Sequence, residues 1–309
     1  MITTITINAA IDKTYIVENF RLNAVFRVKQ VLAQAGGKGL NVARVVKALG
    51  EEVVATGFVG GHSGRFIADS LEAEGIPGEF VAIKGESRIC LNILDPVGKS
   101  QTELLEPGPE VTPEEAEKLK DKIQELARRS RVVVISGSLV PGLPDDYYAR
   151  LIEVIRREGS KTILDTSGAA LEEGLKARPY MVKPNLQEAE SLAGRPLKSR
   201  DARRGFVKEL LASGIEVAVL SLGGEGALIG AGKEFFKVVP PRVQVANTVG
   251  CGDAFVAGFA VALSRGEGVR EAARWATAVA SASATTLGTA QCDVNQVGSL
   301  LAGVTIEPV

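Results

Sequence analysis

Residues 112–136 read TPEEAEKLKDKIQELARRSRVVVIS, which combines a helix start, an amphipathic helical pattern and a short apolar run. Thr112 precedes Pro113, and Glu115 follows three residues after the threonine, a spacing that is typical of a capped helix N-terminus. Val132–Ser136 is rich in β-branched residues, as a strand buried on both faces requires. The stretch therefore predicts a helix leading into a buried strand, the repeating unit of an α/β protein.

The same alternation extends from this stretch in both directions. Similar apolar runs predict strands at residues 1–7, 53–59, 162–165, 180–183 and 217–222. Helical patterns separate these runs, and such alternation favours an α/β fold with a mostly parallel sheet flanked by helices.

Two insertions, at about residues 13–34 and 87–106, break this rhythm. They alternate apolar and polar residues, as in Tyr15 and Val17 or in Ile89, Leu91 and Ile93. This pattern predicts a small, half-buried sheet apart from the main one. Because no repeat, linker or change in composition divides the chain, we expect one domain over residues 1–309 with a discontinuous strand subdomain.

Composition excludes several classes of protein. The 309 residues carry a net charge of −1, so the chain lacks the positive charge of a nucleic-acid-binding protein. Three cysteines without a C-x-x-C pair and a single histidine argue against a disulfide framework and a structural zinc site. No apolar segment resembles a signal peptide or a membrane span. We expect a cytoplasmic enzyme with neither nucleic-acid nor membrane partners.

The strongest local motif is Asn247–Asp253, which runs directly into an apolar helical stretch. Gly250 and Gly252 remove side chains where the helix begins, so successive backbone N–H groups can converge on an anion. Asp253 could then serve as the base that phosphoryl transfer to a hydroxyl requires. A simple N-cap aspartate after a glycine turn explains the motif equally well.

A second glycine-rich cluster, Ala35–Asn41, also leads into a helix. It is not a Walker A loop, because Leu32 and Gly39 stand where that motif needs glycine and a hydroxyl residue. The cluster could bring a lysine and an amide to a phosphorylated or polyhydroxylated ligand, or it could be an exposed turn. Asp12, just after the first strand, could accept sugar hydroxyls or begin a turn.

Two further motifs follow predicted strands. Asn185 and Glu188 lie one helical turn apart and could bind Mg²⁺ through water, or they could form a capping box. The glycines of Ser221–Gly226 permit close approach to a nucleotide, although a hairpin turn would also use them.

Taken together and in this order, these motifs resemble the ribokinase-like pfkB family of carbohydrate kinases, over essentially the whole chain. The matching segments are Gly36–Ala43, Asp165–Ser167, Lys183–Glu188 and Thr248–Asp253. Ser136–Gly142 and Arg88 resemble the branch of 1-phosphofructokinases and tagatose-6-phosphate kinases. Val140 departs from the proline usual in that branch, and Cys251 from the commoner alanine.

The resemblance implies a role for each matching residue. Asp253 would be the general base, and the backbone amides of Gly250, Cys251 and Gly252 would form an anion hole. Contacts to the phosphosugar are implied for Asp12, Arg27, Gly37, Lys38, Asn41, Arg88 and Ser138, with Lys38 and Arg88 on its phosphate. Contacts to ATP are implied for Lys183, Asn185, Glu188, Ser221, Gly223, Gly224 and Gly226, with Mg²⁺ at Asn185 and Glu188 and the adenine facing residues 276–286.

The resemblance also implies the reaction and the assembly. It points to an ATP- and Mg²⁺-dependent kinase that converts fructose 1-phosphate to fructose 1,6-bisphosphate. The alternatives are a tagatose-6-phosphate kinase and a sugar-phosphate-binding protein without catalysis. The two insertions would form a β-sheet lid over the site, and we expect a homodimer through that lid by analogy with the fold.

Overall fold

Two β-sheets organise the computed structural model, which describes residues 1–309. In chain order the strands are β1 (Ile2–Thr6), β2 (Ala10–Ile16), β3 (Gln30–Gly36), β4 (Val53–Gly60), β5 (Val81–Ile83), β6 (Arg88–Asp95), β7 (Ser100–Leu105), β8 (Val132–Ser136), β9 (Lys161–Asp165), β10 (Met181–Val182), β11 (Val217–Ser221), β12 (Ala227–Ala231), β13 (Glu234–Val239) and β14 (Thr305–Pro308). The helices are α1 (Lys38–Ala48), α2 (Gly61–Ala73), α3 (Pro113–Arg129), α4 (Tyr147–Arg157), α5 (Gly168–Lys176), α6 (Leu186–Ala193), α7 (Arg200–Ala212), α8 (Cys251–Ser264), α9 (Val269–Ala284) and α10 (Val294–Gly303).

The large sheet has ten strands in the order β14-β13-β12-β11-β10-β9-β8-β1-β4-β5. All pairs from β11 to β5 are parallel, which confirms the predicted α/β fold. The pairs that join β11, β12, β13 and β14 are antiparallel. The β11–β12 pair confirms the alternative of a hairpin turn at Ser221–Gly226, whereas β13 and β14 were absent from the sequence prediction. The predicted strand at 180–183 shortens to β10, because Pro184 has no N–H with which to continue the pairing.

Helices cover both faces of the large sheet. Alternate residues of each strand point to opposite faces, so Val132 and Val134 belong to one apolar core while Val133 and Ile135 belong to the other. Helices α1, α2, α8, α9 and α10 contribute to the first core, and α3 to α7 contribute to the second. The predicted capping box at the start of α3 is confirmed, with Thr112 and Glu115 bonding each other's backbone N–H. None of the helices combines the length and apolar composition needed to cross a bilayer.

The small sheet, which we call the lid, has the strand order β3-β2-β6-β7 and confirms the predicted separate strand unit. It begins at Ala10 rather than at residue 13, because Ala10 already pairs with Gly36 and Arg88. Residues 17–29 form an irregular connection between β2 and β3.

The carboxylate of Asp95 holds the lid's connections in place. It accepts hydrogen bonds from the backbone N–H groups of Asn19 and Phe20, which follow β2, and of Val97 and Gly98, which form the turn between β6 and β7. These four bonds hold the pKa of Asp95 below its usual range.

Candidate active site

The candidate site lies at the carboxyl edge of the parallel strands. Asp165 ends β9 and Lys183 follows β10, while the glycine-rich turns before α1 and α8 bring Lys38 and Asp253 to the same place. Ligand crevices of open parallel sheets form at this edge. Motifs that are far apart in the sequence therefore meet in one charged cluster, which consists of Lys38, Asp165, Lys183 and Asp253.

Asp253 lies in the first turn of α8 and is only 6% exposed. Its Oδ2 accepts a hydrogen bond of 2.9 Å from Nδ2 of Asn41, a buried residue of α1. Burial and the negative charge of Asp165 raise the pKa of Asp253 to about 7, against the opposing effects of Asn41, Lys38 and Lys183. A carboxyl group that titrates near neutral pH is suited to accept a proton from a substrate hydroxyl.

Asp165 holds the charged cluster together. One carboxylate oxygen lies 3.3 Å from Nζ of Lys183, and the other lies 3.7 Å from Nζ of Lys38. The charge of Asp165 is the largest cause of the raised pKa of Lys38. No role was predicted for Asp165, although an acid at the end of a buried strand is a signal from which one could have been inferred.

The N-terminus of α8 forms the anion-binding turn. Its N-cap is Gly250 rather than Asp253, so the N-cap alternative for the aspartate is wrong. Gly250 has a φ of 83°, and a Cβ there would lie 2.5 Å from the backbone nitrogen of Ala290, which leaves glycine as the residue that fits. The N–H groups of Gly250 and Gly252 make no hydrogen bond within the chain and remain free for an anion.

Cys251 departs from its predicted role in the anion hole. Its backbone N–H donates to the carbonyl of Thr248 at 3.2 Å, so the free donors of the turn are those of its neighbours. Burial raises the pKa of the Cys251 thiol, which disfavours the reactive thiolate.

Asp12 extends from the lid toward the glycine-rich turn before α1. Its carboxylate lies so close to Gly36 that a Cβ on that glycine would approach it to between 2.1 and 2.4 Å. Burial raises the pKa of Asp12 to about 6, although the positive charges of Arg44 and Arg88 oppose the increase. Asp12 therefore lies where the lid meets the glycine-rich turn before α1.

Arg88 begins β6 and lies on the same face of the lid as Asp12. In the parallel register of β2 and β6, Ala10 pairs with Arg88, and Asp12 lies two residues after Ala10 and therefore on the same face. Its guanidinium donates to the carbonyl of Asn8 at 3.1 and 3.3 Å and to that of Glu106 at 2.9 Å. These bonds fix the group in one orientation.

The other residues predicted to contact the sugar are Gly37 and Ser138, which pack against or bond to neighbouring residues, and Arg27, which is exposed. Gly37 is the N-cap of α1, and a Cβ there would lie 2.7 Å from Cγ2 of Thr6. Ser138 accepts a hydrogen bond of 3.2 Å from Nδ2 of Asn8, whose carbonyl also holds Arg88. Arg27 is exposed in the irregular connection of the lid and makes no ion pair or side-chain hydrogen bond within the chain.

A cleft of about 280 Å³ is lined by residues of both motifs for which ATP contacts were predicted. Its lining includes Asn185, Gln187, Arg203, Ser221, Gly223 and Glu225. Two glycines of the predicted set, Gly224 and Gly226, do not line it. A Cβ on Gly226 would lie 1.9 Å from the carbonyl oxygen of Val238, so packing against β13 explains this glycine instead.

Asn185 and Glu188 form the capping box of α6. Oδ1 of Asn185 accepts from the N–H of Glu188 at 2.9 Å, and Oε2 of Glu188 accepts from the N–H of Asn185 at 2.8 Å. Oε1 of Glu188 keeps no partner within the chain. The predicted alternative of a capping box is therefore confirmed, and Oε1 of Glu188 remains available to a ligand.

The small-residue run at 276–286, predicted to face the adenine, packs closely against α8. Most of its side chains are buried in α9, where Ala276 and Val279 pack against Gly258 of α8. A Cβ on Gly258 would lie 2.8 Å from Cα of Ala276, so the small residues allow the two helices to approach closely.

Comparison with known proteins agrees with this geometry. The model of pfkB family carbohydrate kinases matches residues 3–296. Phosphofructokinase-2 from Escherichia coli, solved in complex with potassium, is 29% identical; the match covers 97% of this chain and 98% of that one, with a TM-score of 0.92.

Two other solved structures have the same fold. A possible 1-phosphofructokinase from Thermotoga maritima is 27% identical, over 100% of this chain and 99% of that one, with a TM-score of 0.91. Ribokinase from Arabidopsis thaliana, complexed with ribose and ATP, is 23% identical over 97% and 98% of the two chains, with a TM-score of 0.83. Since the family model spans nearly the whole chain and its motifs meet at one edge of the sheet, the protein belongs to the pfkB family of carbohydrate kinases and is a sugar-phosphate kinase.

Proposed function

We propose that the protein transfers the γ-phosphoryl group of ATP to the free primary hydroxyl of fructose 1-phosphate, which forms fructose 1,6-bisphosphate. The observation that carries this proposal is the buried carboxyl group of Asp253 beside the free N–H groups of Gly250 and Gly252. A base, an anion-binding turn and nearby cations are the parts that phosphoryl transfer requires.

In the proposed reaction, Asp253 accepts the proton of the sugar hydroxyl while the hydroxyl oxygen bonds to the γ-phosphorus. The bond between the γ-phosphorus and the oxygen that bridges it to the β-phosphorus breaks, and ADP leaves with that electron pair. The N–H groups of Gly250 and Gly252 donate to the oxygens of the transferring group, where negative charge must be stabilised.

The contacts of Lys38 favour a change to its predicted role. Lys38 pairs with Asp165 in the charged cluster, and Asp253 also contributes to its raised pKa, whereas Arg88 contacts Asn8 and Glu106 below the lid. The two cations share no partner. We therefore assign Lys38 to the transferring phosphoryl group, and Arg88 to the phosphate already on the sugar.

Arg88 retains the donors that this assignment needs. A guanidinium has five N–H donors, and the backbone carbonyls of Asn8 and Glu106 take three of them. The remaining two can bind a phosphate while the other three keep the group oriented. Asp12 on the same face of the lid can accept ring hydroxyls of the sugar.

Kinases of this family use ATP, which is usually bound together with Mg²⁺. The structure has no group of three or more metal-ligating side chains, but Mg²⁺ in kinases is held by one or two carboxylates together with water and phosphate oxygens. The free Oε1 of Glu188 and Oδ1 of Asp165, which accepts no hydrogen bond and has only Lys38 nearby at 3.7 Å, fit that requirement better than Asn185, whose Oδ1 caps α6. Bound there, Mg²⁺ would neutralise charge on the phosphate oxygens.

The choice of sugar rests on similarity rather than on a contact in the site. Fructose 1-phosphate is favoured by the branch motifs Ser136–Gly142 and Arg88 and by the similarity to the possible 1-phosphofructokinase of Thermotoga maritima. Fructose 6-phosphate is the second candidate, because the similar phosphofructokinase-2 of Escherichia coli has been solved with it. Tagatose 6-phosphate is the third, from the same branch motifs.

Measurement of kcat/KM for the three sugar phosphates, with ATP consumption coupled to ADP detection, tests the proposal. We expect fructose 1-phosphate to have the highest value. A tenfold preference for either competitor, equivalent to about 1.4 kcal/mol in the transition state, would contradict the choice of sugar and leave the kinase assignment intact. No turnover of any of the three would contradict the proposal itself.

We also propose a homodimer that forms through the lid. One lid face combines Val31, Tyr15 and Ile93, which lie side by side in the strand register, with Ala33, Lys13, Leu91 and Leu104 in the next row, so it is apolar except for one lysine. Val31 and Leu104 are each at least half exposed. An apolar face of this kind is typical of a protein–protein interface, and a tetrameric form is known for the phosphofructokinase-2 of Escherichia coli.

A further inference from the structure

We propose that Arg44 is a positioning residue, which fixes the amide of Asn41 so that it donates to the carboxylate of Asp253. Nη1 of Arg44 lies 3.3 Å from Oδ1 of Asn41, and Nδ2 of the same amide lies 2.9 Å from Oδ2 of Asp253. The inference rests on the proposed role of Asp253 as the base, and it adds a residue to which the sequence analysis assigned no function.

The chemistry of arginine dictates the orientation of the amide. A guanidinium has only donors, so the atom of Asn41 that faces Arg44 must be the carbonyl oxygen. The NH₂ group must then face Asp253, where it stabilises the charged carboxylate. Without Arg44 the amide could turn over, and its oxygen would face a carboxylate that it cannot bond.

Arg44 is itself held firmly in place. Its Nε and Nη2 pair with the carboxylate of Glu74 at 2.6 and 3.1 Å, and Nη2 also donates to the carbonyl of Ala35 at 2.5 Å. Its side chain is 12% exposed. A cation with this many partners cannot follow the amide if Asn41 rotates, so it acts as a fixed support.

The other groups that act on Asp253 come from different elements. Lys38 comes from α1, Asp165 from β9 and Lys183 from the segment after β10, and none of the three contacts Arg44 through a hydrogen bond or ion pair. Loss of Arg44 therefore leaves these three groups in place and removes the hydrogen bond from Asn41, which stabilises the charged form of Asp253. It also removes a positive charge that lowers the pKa of Asp12, and Arg44→Lys keeps a positive charge at this position.

The test is the pH dependence of kcat/KM in Arg44→Met, Arg44→Lys and Asn41→Ala. We expect Arg44→Met to move the midpoint upward by about one pH unit and therefore to lower the rate at pH 7 roughly fivefold, as loss of one hydrogen bond to a charged group would. Arg44→Lys should restore part of the shift. Lys47→Met, an exposed cation one turn along α1 that contacts neither Asn41 nor Asp253, is the matched control and should leave the profile unchanged.

The double variant separates positioning from general structural damage. If Arg44 acts through Asn41, Arg44→Met should not move the midpoint further in the Asn41→Ala background. A further upward shift, or a single Arg44→Met variant that loses rate without any shift in midpoint, would overturn the inference. A wild-type profile without a midpoint near pH 7 would instead contradict the role of Asp253 as the base, so the two failures are distinguishable.

Discussion

Lys183 and Asp165 form an ion pair of 3.3 Å in which neither side chain is more than 6% exposed. Removing one partner of such a pair leaves a buried, uncompensated charge, which typically costs about 3–5 kcal/mol. Lys38, 3.7 Å from the second oxygen of Asp165, offsets part of that loss. Asp165 thus joins the elements that carry the two lysines and adds its charge to the site.

We expect Lys183→Met to lower the free energy of unfolding by about 3 kcal/mol, the lower end of the range for a buried pair. Chemical denaturation measures the change. Lys176→Met is the control, because Lys176 pairs with Glu173 on the surface and should contribute less than about 1 kcal/mol. An equal decrease in the free energy of unfolding in the two variants would show that the buried Lys183–Asp165 pair contributes no more to stability than an exposed pair.

The activity should rise with pH through a midpoint near 7. Only the deprotonated form of Asp253 can accept the proton, and burial together with the charge of Asp165 raises its pKa to about 7. Asp165→Asn removes that charge, so we expect the midpoint of kcat/KM to move to lower pH, even if the rate itself falls. A midpoint that stays in place or moves upward would contradict this coupling between the two carboxylates.

Asp253→Asn should lower kcat by roughly 10²–10⁴, the usual contribution of a positioned general base, while ATP still binds. The same variant should be more stable than the wild type at pH 8. The folded protein holds the proton of Asp253 up to about pH 7 and the unfolded chain only to about 4, so wild-type stability falls as the pH rises between these values.

The asparagine does not titrate and avoids this loss of stability. Thermal melts of both proteins at pH 8 and near pH 4 measure the effect. We expect the variant to have the higher melting temperature at pH 8, and the difference between the two proteins to be smaller near pH 4. A variant that is nearly as active as the wild type would contradict the assignment of the base, whereas equal melting temperatures at pH 8 would contradict the raised pKa.

The main sheet was predictable because its central strands are buried on both faces and therefore read as continuous apolar runs, as in Val132–Ser136. The antiparallel edge was not. Gly230 interrupts the apolar run of β12, and in β13, which reads EFFKVV, Glu234 and Lys237 interrupt pairs of apolar residues, so neither resembles a buried parallel strand.

The candidate site was predictable where backbone chemistry demands a motif. Glycines before α1 and α8 mark the turns, and Asn41 and Asp253 follow them directly. Roles that depend on contacts between distant segments could not be predicted. Arg44 looks like an ordinary helical cation until the fold brings Glu74 and the Asn41–Asp253 hydrogen bond to it.

Arg88→Ala should raise KM for the sugar phosphate much more than KM for ATP. A hydrogen bond to a charged group contributes about 1.5–3 kcal/mol, which corresponds to roughly 10- to 100-fold in kcat/KM. Unphosphorylated fructose is the control substrate, since it lacks the dianion that Arg88 would bind, and its slow turnover should change little. Equal losses with fructose and the phosphosugar would show that Arg88 instead supports the lid through Asn8 and Glu106.

The lid offers two adjacent positions that test the dimer. Val31 and Leu32 are 50% and 54% exposed, but they point to opposite faces of β3. Val31 lies beside Tyr15 on the apolar face, whereas Leu32 lies beside Thr14 on the face that carries Asp12. A lysine at either position is equally easy to solvate in the monomer, so any difference in assembly must come from the partner subunit.

We therefore expect Val31→Lys to dissociate the dimer at micromolar concentration and Leu32→Lys to leave it intact, as sedimentation velocity would measure. The physical reason is that an ammonium group buried between two apolar faces loses its hydration without gaining a partner. A wild-type protein that sediments as a 32.5 kDa monomer at all concentrations would contradict the proposed assembly. Dissociation by Leu32→Lys alone would place the interface on the opposite face, where it would also cover Asp12 and so couple assembly directly to sugar binding.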